Sequence, residues 1–297
     1  HKSASAIYHN YLEWLFKTFD EDQTTFRKKL IQHLQLKNGD KVLVTGCGLG
    51  DDIAPILEIV GENGSVYAND LAENMVMAAT QSEIMQMPHA HKISFSICDA
   101  CALPFDNNFF DATFHFGGIN LFDDVKQAIG EMNRVVKPSG QVVFGDEGVA
   151  PWLRKTEYAK IVINNNALWS AEAPIDALPE TATNVQVTWV LGNCFYVISF
   201  QKSLLLPKIN MDVIHKGRRG GNMRTRYFGQ LEGVSAESKQ FVLDDAARKG
   251  MSVHDWLEWT ISQAKKTHLA IIMYPILHHE TFLKMESLLA PFNHIFN

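Results

Sequence analysis

The spacing of apolar positions changes period along the chain, and each change marks an element. Residues 7–34 carry Leu12, Leu15, Phe16 and Phe19 at helical spacing. From Lys41 onward, short apolar runs alternate with helical stretches. Residues 41–45 form a first strand candidate, followed by Ile53, Ile56, Leu57 and Val60 at helical spacing up to Gly61 and Gly64. Residues 65–69 form a second strand, and a helix runs through Met75, Met77 and Ala79. Residues 92–98 and 111–116 read as third and fourth strands, with a helical run over 123–136 after them. Pro138, Ser139 and Gly140 turn the chain into a fifth strand at 141–146. Strands that alternate with helices in this way specify a mostly parallel sheet covered on both faces. Two further strands, 185–191 and 194–200, share the compact turn Gly192–Asn193 and so pair antiparallel at or near the sheet edge. The predicted fold is α/β: a Rossmann-like, seven-stranded, mostly parallel sheet with a mainly helical C-terminal extension.

This pattern divides the chain into a helical cap (1–40), a sheet domain (41–200) and an extension (201–297). Residues 148–183 are too long for a minimal crossover and form a natural substrate lid. In the extension, a strand is expected at 225–231, with helices at 236–249, 253–265 and 280–289. The third of these spans has a clear start. Ser252 stands three residues before Asp255 as a cap, and Gly250 stops the preceding helix. Residues 224–256 loosely resemble a ribbon-helix-helix unit with Arg224–Phe228 as ribbon, which would make the extension a dimerisation element and the chain a homodimer.

Composition narrows the functional classes. The 297 residues carry 27 basic and 33 acidic side chains, a formal charge of -6, so nucleic acid would need a concentrated basic patch to bind. No apolar run approaches the roughly 20 residues of a membrane span, and no secretory leader is visible, so a cytoplasmic location is expected. The four cysteines are too few and scattered for a disulfide scaffold. Cys98 and Cys101 make a C-x-x-C spacing, but no second pair or histidine cluster follows, and no metal is expected.

The strongest local signal is Val42-Leu43-Val44-Thr45-Gly46-Cys47-Gly48-Leu49-Gly50-Asp51-Asp52. Glycines after a strand allow a tight turn and let backbone N–H groups approach a ligand at the next helix start. A dinucleotide fingerprint would place glycine where this chain has Asp51. Two carboxylates there would repel a pyrophosphate but tolerate an ammonium or sulfonium. Asp70, just past the second strand, suits a pair of ribose hydroxyls, and Asp99, past the third, suits an adenine amine with Ala100 beside it. All three sites fall at the carboxyl ends of successive strands, where open α/β sheets bind ligands.

Taken together, the 42–50 loop, the segment Val66–Met75, Asp99 with Leu103–Asp106 and Phe109–Asp111, and Glu131–Gly140 resemble the class I S-adenosylmethionine-dependent methyltransferases, especially the ubiquinone/menaquinone-biosynthesis-like group. The resemblance implies S-adenosylmethionine as cofactor, held by Thr45, Gly46, Cys47, Gly48, Gly50, Asp51, Asp70, Leu71, Met75, Asp99, Ala100 and His115. One departure stands out: Val44 occupies a position that is usually acidic in that group, and Asp51 or Asp52 would have to supply the charge.

Methyl transfer to a small molecule needs an acceptor held in line with the sulfonium in a dry pocket. The general-base candidates are His115, Glu147 and, from the extension, His215. Tyr8, Tyr11, Trp152, Tyr158 and Trp169 are candidate walls for an aromatic or apolar acceptor with an oxygen, nitrogen or carbon nucleophile. The basic cluster His215, Lys216, Arg218, Arg219, Arg224 and Arg226 is expected to close over the site or hold an acceptor's carboxylate or phosphate, with Arg218 and Arg219 as its contact residues. Two alternatives remain open: a macromolecule-directed methyltransferase or nucleic-acid-binding module using the basic ribbon, and a non-catalytic interaction protein that kept the fold.

Overall fold

A computed structural model of the chain describes residues 4–218, 220–228 and 234–277. Two compact units divide it, His1–Pro207 and Lys208–Asn297.

The first unit opens with two helices, α1 (Ala4–Thr18) and α2 (Gln23–Gln32), where periodicity alone suggested one. Asp20 takes a left-handed φ of 52°, and Asp22 then caps α2 by accepting from Thr25 N at 2.8 Å. The alternating region follows: β1 (Lys41–Thr45), α3 (Ile53–Val60), β2 (Ser65–Asp70), α4 (Glu73–Thr80), β3 (Ile93–Ile97), β4 (Phe110–Phe116), α5 (Val125–Val135) and β5 (Val136–Glu147). After α6 (Glu157–Asn165), the hairpin β6 (Thr183–Val190) and β7 (Phe195–Gln201) completes the sheet.

The seven strands lie in the order β3-β2-β1-β4-β5-β7-β6. The first five are parallel; β7 pairs antiparallel with both β5 and β6. The expected seven-stranded Rossmann-like sheet is therefore present. Strand order reverses between β1 and β4, which opens a crevice at their carboxyl ends. Both faces are covered. One core cluster packs α1, α2 and α3 residues such as Leu15, Phe26, Leu30 and Ile56 against Val42, Val44 and Phe114. The other packs Ile129, Met132 and Val135 of α5 against Leu43, Phe110 and Phe144. The turn expected at Pro138–Gly140 lies inside β5, whose start reaches back to Val136, and Ser139 there has a φ of 66°.

The second unit contains α7 (Met223–Phe228), α8 (Ala236–Arg248) and α9 (Val253–Leu277). It corrects the expected ribbon: Arg224–Phe228 are helical, not extended. The local reason is a cap. Asn222 Oδ1 accepts from Thr225 N at 2.8 Å, which starts a helix where basic and aromatic residues suggested a strand. The proposed ribbon-helix-helix unit, and a nucleic-acid reading built on it, lose their first element. Gly250 and Ser252 do delimit the last helices as expected, with Ser252 Oγ accepting from Asp255 N, but α9 runs on past residue 265. The helix expected at 280–289 lies outside the described residues. Among those residues, no helix is long and apolar enough to cross a membrane, and no cluster of three metal-ligating side chains occurs.

Candidate functional site

The carboxyl ends of β1, β2 and β3 gather the glycine loop, Asp70 and Asp99. Beyond Thr45, Gly46 and Gly48 adopt φ of 59° and 53°, conformations that side-chain-bearing residues seldom take. Gly46 has a second reason to be glycine: a Cβ there would sit 2.9 Å from the His115 ring. A Cβ at Gly48 would meet nothing within 4 Å, so the loop crest faces open space.

Asp70 fixes this crest. Its Oδ2 accepts from Gly48 N at 2.8 Å, and its Oδ1 accepts from Ala72 N at 2.9 Å. Each carboxylate oxygen has further lone pairs, so neither is saturated. Cys98 N donates to Asp70 O at 3.2 Å, which brings the end of β3 alongside. Asp99 is exposed, and its Oδ1 accepts from Cys101 N at 2.8 Å. Leu71 stands 71% exposed next to Asp70, an apolar surface with no protein cover, while Ala100 is buried and Met75 half-buried. Burial, with Asp70 nearby, pushes the Cys47 thiol up to about 12, so it is a neutral wall of the loop. Cys98 and Cys101 are free thiols turned to different partners, Ser96 Oγ and Asp124 O, and do not act as a pair.

The acidic helix start is less bare than its sequence suggests. Arg27 of α2, itself 7% exposed, donates to Asp52 Oδ1 at 2.6 Å and to Asp51 Oδ2 at 3.1 Å. Burial opposes the guanidinium charge, but the two carboxylates outweigh it and raise the Arg27 pKa. Burial also raises Asp51, with Arg27 pulling the other way. One guanidinium against two carboxylates leaves a single negative charge, and the Asp51 side chain remains 34% exposed to express it. Tyr8 of α1 packs beside this group; burial pushes its hydroxyl up to about 12. Val44 is a core residue at 2% exposure, so the position that lacks an acid faces packed interior.

His115 does not project from the sheet edge. It is 1% exposed beneath Gly46 and Phe122, and its ring bonds Thr45 O through Nδ1 at 2.8 Å. A carbonyl can only accept, so Nδ1 carries the proton and Nε2 is left bare, buried and without a partner. Burial lowers its pKa, so the ring is neutral near pH 7. Such a histidine braces the glycine loop from below.

A second polar group forms at the carboxyl ends of β4 and β5. Glu147, 9% exposed, accepts at Oε1 from Tyr11 OH at 2.8 Å and from Asn166 Nδ2 at 3.1 Å. Burial raises the Glu147 pKa, the Tyr11 bond opposes it, and neighbouring Asp146 adds to the rise. Burial and Glu147 raise Tyr11 in turn. Asp146 accepts from Asn120 N and Glu147 N, each at 2.7 Å, and Asn120 Nδ2 donates to Glu147 O at 2.8 Å. Tyr196 OH donates to Asn120 Oδ1 at 3.1 Å. Gly117, at the turn after β4, is exposed and has open space where a Cβ would stand.

Of the aromatic candidates, Tyr11 and Trp169 join this group, and Trp169 is buried against Trp14, Phe19 and Phe195. Trp152 does not: it is 62% exposed against Trp189. Tyr158 OH donates to Gly192 O at 2.8 Å, which ties α6 to the β6–β7 turn. His215 and Arg218 are exposed in the second unit, and Arg219 lies outside the described residues. Arg224 pairs with Asp212 at 3.2 Å, and Arg226 donates to Gly220 O, so both of these members of the basic cluster are engaged locally.

Sequence reasoning missed Arg27, Asn120, Asn166 and Tyr196. Only Arg27 left a signal, being a charged residue set among Phe26, Leu30 and Ile31 on the apolar stripe of α2. An open cavity of about 260 Å³ exists at the opposite, amino-terminal edge of the strands, lined by Lys37, Asp40, Asp111 and Lys137. Its Lys137–Asp111 pair closes on itself at 2.6 Å, and the 46–50 glycine loop does not line it. The chemistry therefore concentrates at the carboxyl edge.

The chain is similar to known proteins over part of its length. Residues 18–149 match the profile of the ubiE/COQ5 methyltransferase family. A demethylmenaquinone methyltransferase of Shouchella clausii is 33% identical over 144 residues, 46% of this chain and 60% of that protein. One from Staphylococcus carnosus is 36% identical over 124 residues, 41% of this chain and 49% of that protein. The chain thus spans about half to three fifths of these relatives' length. Among solved structures, phosphoethanolamine N-methyltransferase 2 of Haemonchus contortus, in complex with S-adenosyl-L-methionine, aligns with a TM-score of 0.50 at 15% identity, covering 64% of this chain and 55% of that one. That likeness establishes the shared fold.

Proposed function

We propose, from the match of residues 18–149 to the ubiE/COQ5 methyltransferase family, that this protein transfers a methyl group from S-adenosylmethionine to a small molecule. The observation that carries the reading is the joining of three strand ends into one edge. Gly48 N meets Asp70 Oδ2 at 2.8 Å, and exposed Asp99 follows the strand next to Asp70.

The residues at this edge fit the cofactor. Loop amides and the space above Gly48 suit its amino-acid end, and the net negative charge of the Arg27–Asp51–Asp52 group suits its ammonium. Asp70 would receive the ribose hydroxyls, Leu71 would cover one face of the adenine, and Asp99 would receive its amine. When bound, S-adenosylmethionine supplies an electrophilic methyl group on a sulfonium. The protein's own work is then to hold an acceptor in line with that methyl and keep water out. Of the base candidates, Glu147 is the one set at the carboxyl end of a strand beside a turn with open space, whereas His115 is sealed under the loop. The relatives are named for a menaquinone precursor, and an apolar planar ring of that kind is one acceptor class that the aromatic surroundings of Trp169 would suit.

The test is transfer of labelled methyl from S-adenosylmethionine into an extract of small molecules, with calorimetry of cofactor binding alongside. A labelled low-mass product together with cofactor binding supports the reading; cofactor binding without any labelled product, or no binding at all, contradicts it.

A further inference from the structure

Glu147 is placed by residues distant in sequence: Tyr11 from α1, Asn166 just after α6, and Asn120 from the turn beyond β4. Both side-chain donors go to the same oxygen, Oε1. No described residue donates a hydrogen bond to Oε2. Glu147 is largely buried, yet Oε2 is not among the buried side-chain atoms that lack a partner, so this oxygen faces accessible space while Oε1 is held by protein. Trp169 belongs to the same group. Its indole Nε1 is buried and, with Tyr11 and Asn166, favours the Glu147 carboxylate. An acceptor oxygen with no described donor therefore stands on the carboxyl edge, one strand away from β4 and two from β1.

We infer that Glu147 Oε2 is a recognition point for an O–H or N–H group on the methyl acceptor, and that Tyr11 and Asn166 are positioning residues that hold this oxygen toward it. The inference rests on the methyl-transfer reading and sharpens it: the acceptor presents a hydrogen-bond donor near the methylated atom, and a molecule with that position capped binds poorly.

The isosteric change Glu147→Gln tests this specifically. Two donors converge on Oε1, so the glutamine must place its amide oxygen there and turn its NH₂ toward the subsite. A hydrogen-bond acceptor becomes a donor with the shape unchanged. The probes are 2-naphthol and 2-methoxynaphthalene, one able to donate and one not, titrated against full-length protein by tryptophan fluorescence. Wild-type protein is expected to favour 2-naphthol by about tenfold or more, the range of a hydrogen bond to a charged group. Glu147→Gln should abolish that preference, and Tyr11→Phe should reduce it, both with S-adenosylmethionine affinity unchanged by calorimetry. A purely structural role for Tyr11 would lower stability without altering the ratio between the two probes. Equal response of wild-type protein to both probes, including no response to either, overturns the inference, as does a preference that survives in Glu147→Gln. Failure of S-adenosylmethionine to bind wild-type protein, with the probe preference intact, would instead remove the methyl-transfer reading and leave the recognition point standing.

Discussion

The two halves of the sheet's carboxyl edge are built in contrasting ways. On the β1–β3 side, backbone does most of the work: loop amides, a carboxylate bonded to them, and glycines with positive φ. On the β4–β5 side, side chains from distant segments meet around Glu147, with Tyr11 lying 136 residues away in sequence. The first half is a local device and tolerates little change in its own stretch of chain. The second is a long-range assembly, in which the helices before the sheet decide what a strand-end carboxylate can do. A cofactor shared by many enzymes suits the first construction, and an acceptor particular to one suits the second.

The largest expected effect falls on the β1–β3 half, at the ion pair behind its glycine loop. Arg27→Met leaves Asp52, 8% exposed, and Asp51 without their shared cation. Removing one partner of a buried ion pair costs about 3–5 kcal/mol, so urea unfolding should show a loss of that order. A change below about 1 kcal/mol would mean that the pair contributes little and that α2 is held by packing alone.

Next comes Asp70→Ala, which removes both the loop tether and the proposed ribose contacts. Loss of charge-assisted hydrogen bonds worth about 1.5–3 kcal/mol each predicts S-adenosylmethionine affinity weakened by about a hundredfold. Affinity within threefold of wild type would exclude Asp70 from the cofactor site.

The smallest is a pH effect through His115, which braces the first half. Its folded pKa is depressed below the usual 6.5 by burial, so the unfolded chain takes up the proton first as pH falls. Stability should therefore be fully present above about pH 7 and decline as pH falls through the range where the unfolded histidine takes up its proton. His115→Gln should flatten that part of the profile, and a wild-type profile with no decline in this window would show that the ring is not held neutral.

The contrast between the halves also explains what was legible in the sequence. The strands and the glycine loop were visible because each depends on neighbours within a few residues, and Asp70 and Asp99 because each stands at or just past a strand end. Alternation of short apolar runs with helical stretches was enough to give the number of strands and the antiparallel pairing of the last two. Arg27 was hidden because its partners lie 24 and 25 residues on, across a helix and a strand. Trp152 and Trp169 look alike as aromatic residues in a long connection, yet one is 62% exposed and the other 1%. Only packing against Phe19 and Phe195 separates them. At α7, the Asn222–Thr225 cap was present in the sequence, but a cluster of basic and aromatic residues outweighed it.

The most direct test is a crystal structure of the protein with S-adenosylhomocysteine. The account predicts the ribose hydroxyls on Asp70, the adenine between Leu71 and Asp99, and the amino-acid end over Gly48. Density for the ligand at the amino-terminal edge, near Lys37 and Asp111, or an empty carboxyl edge at saturating concentration, would contradict it.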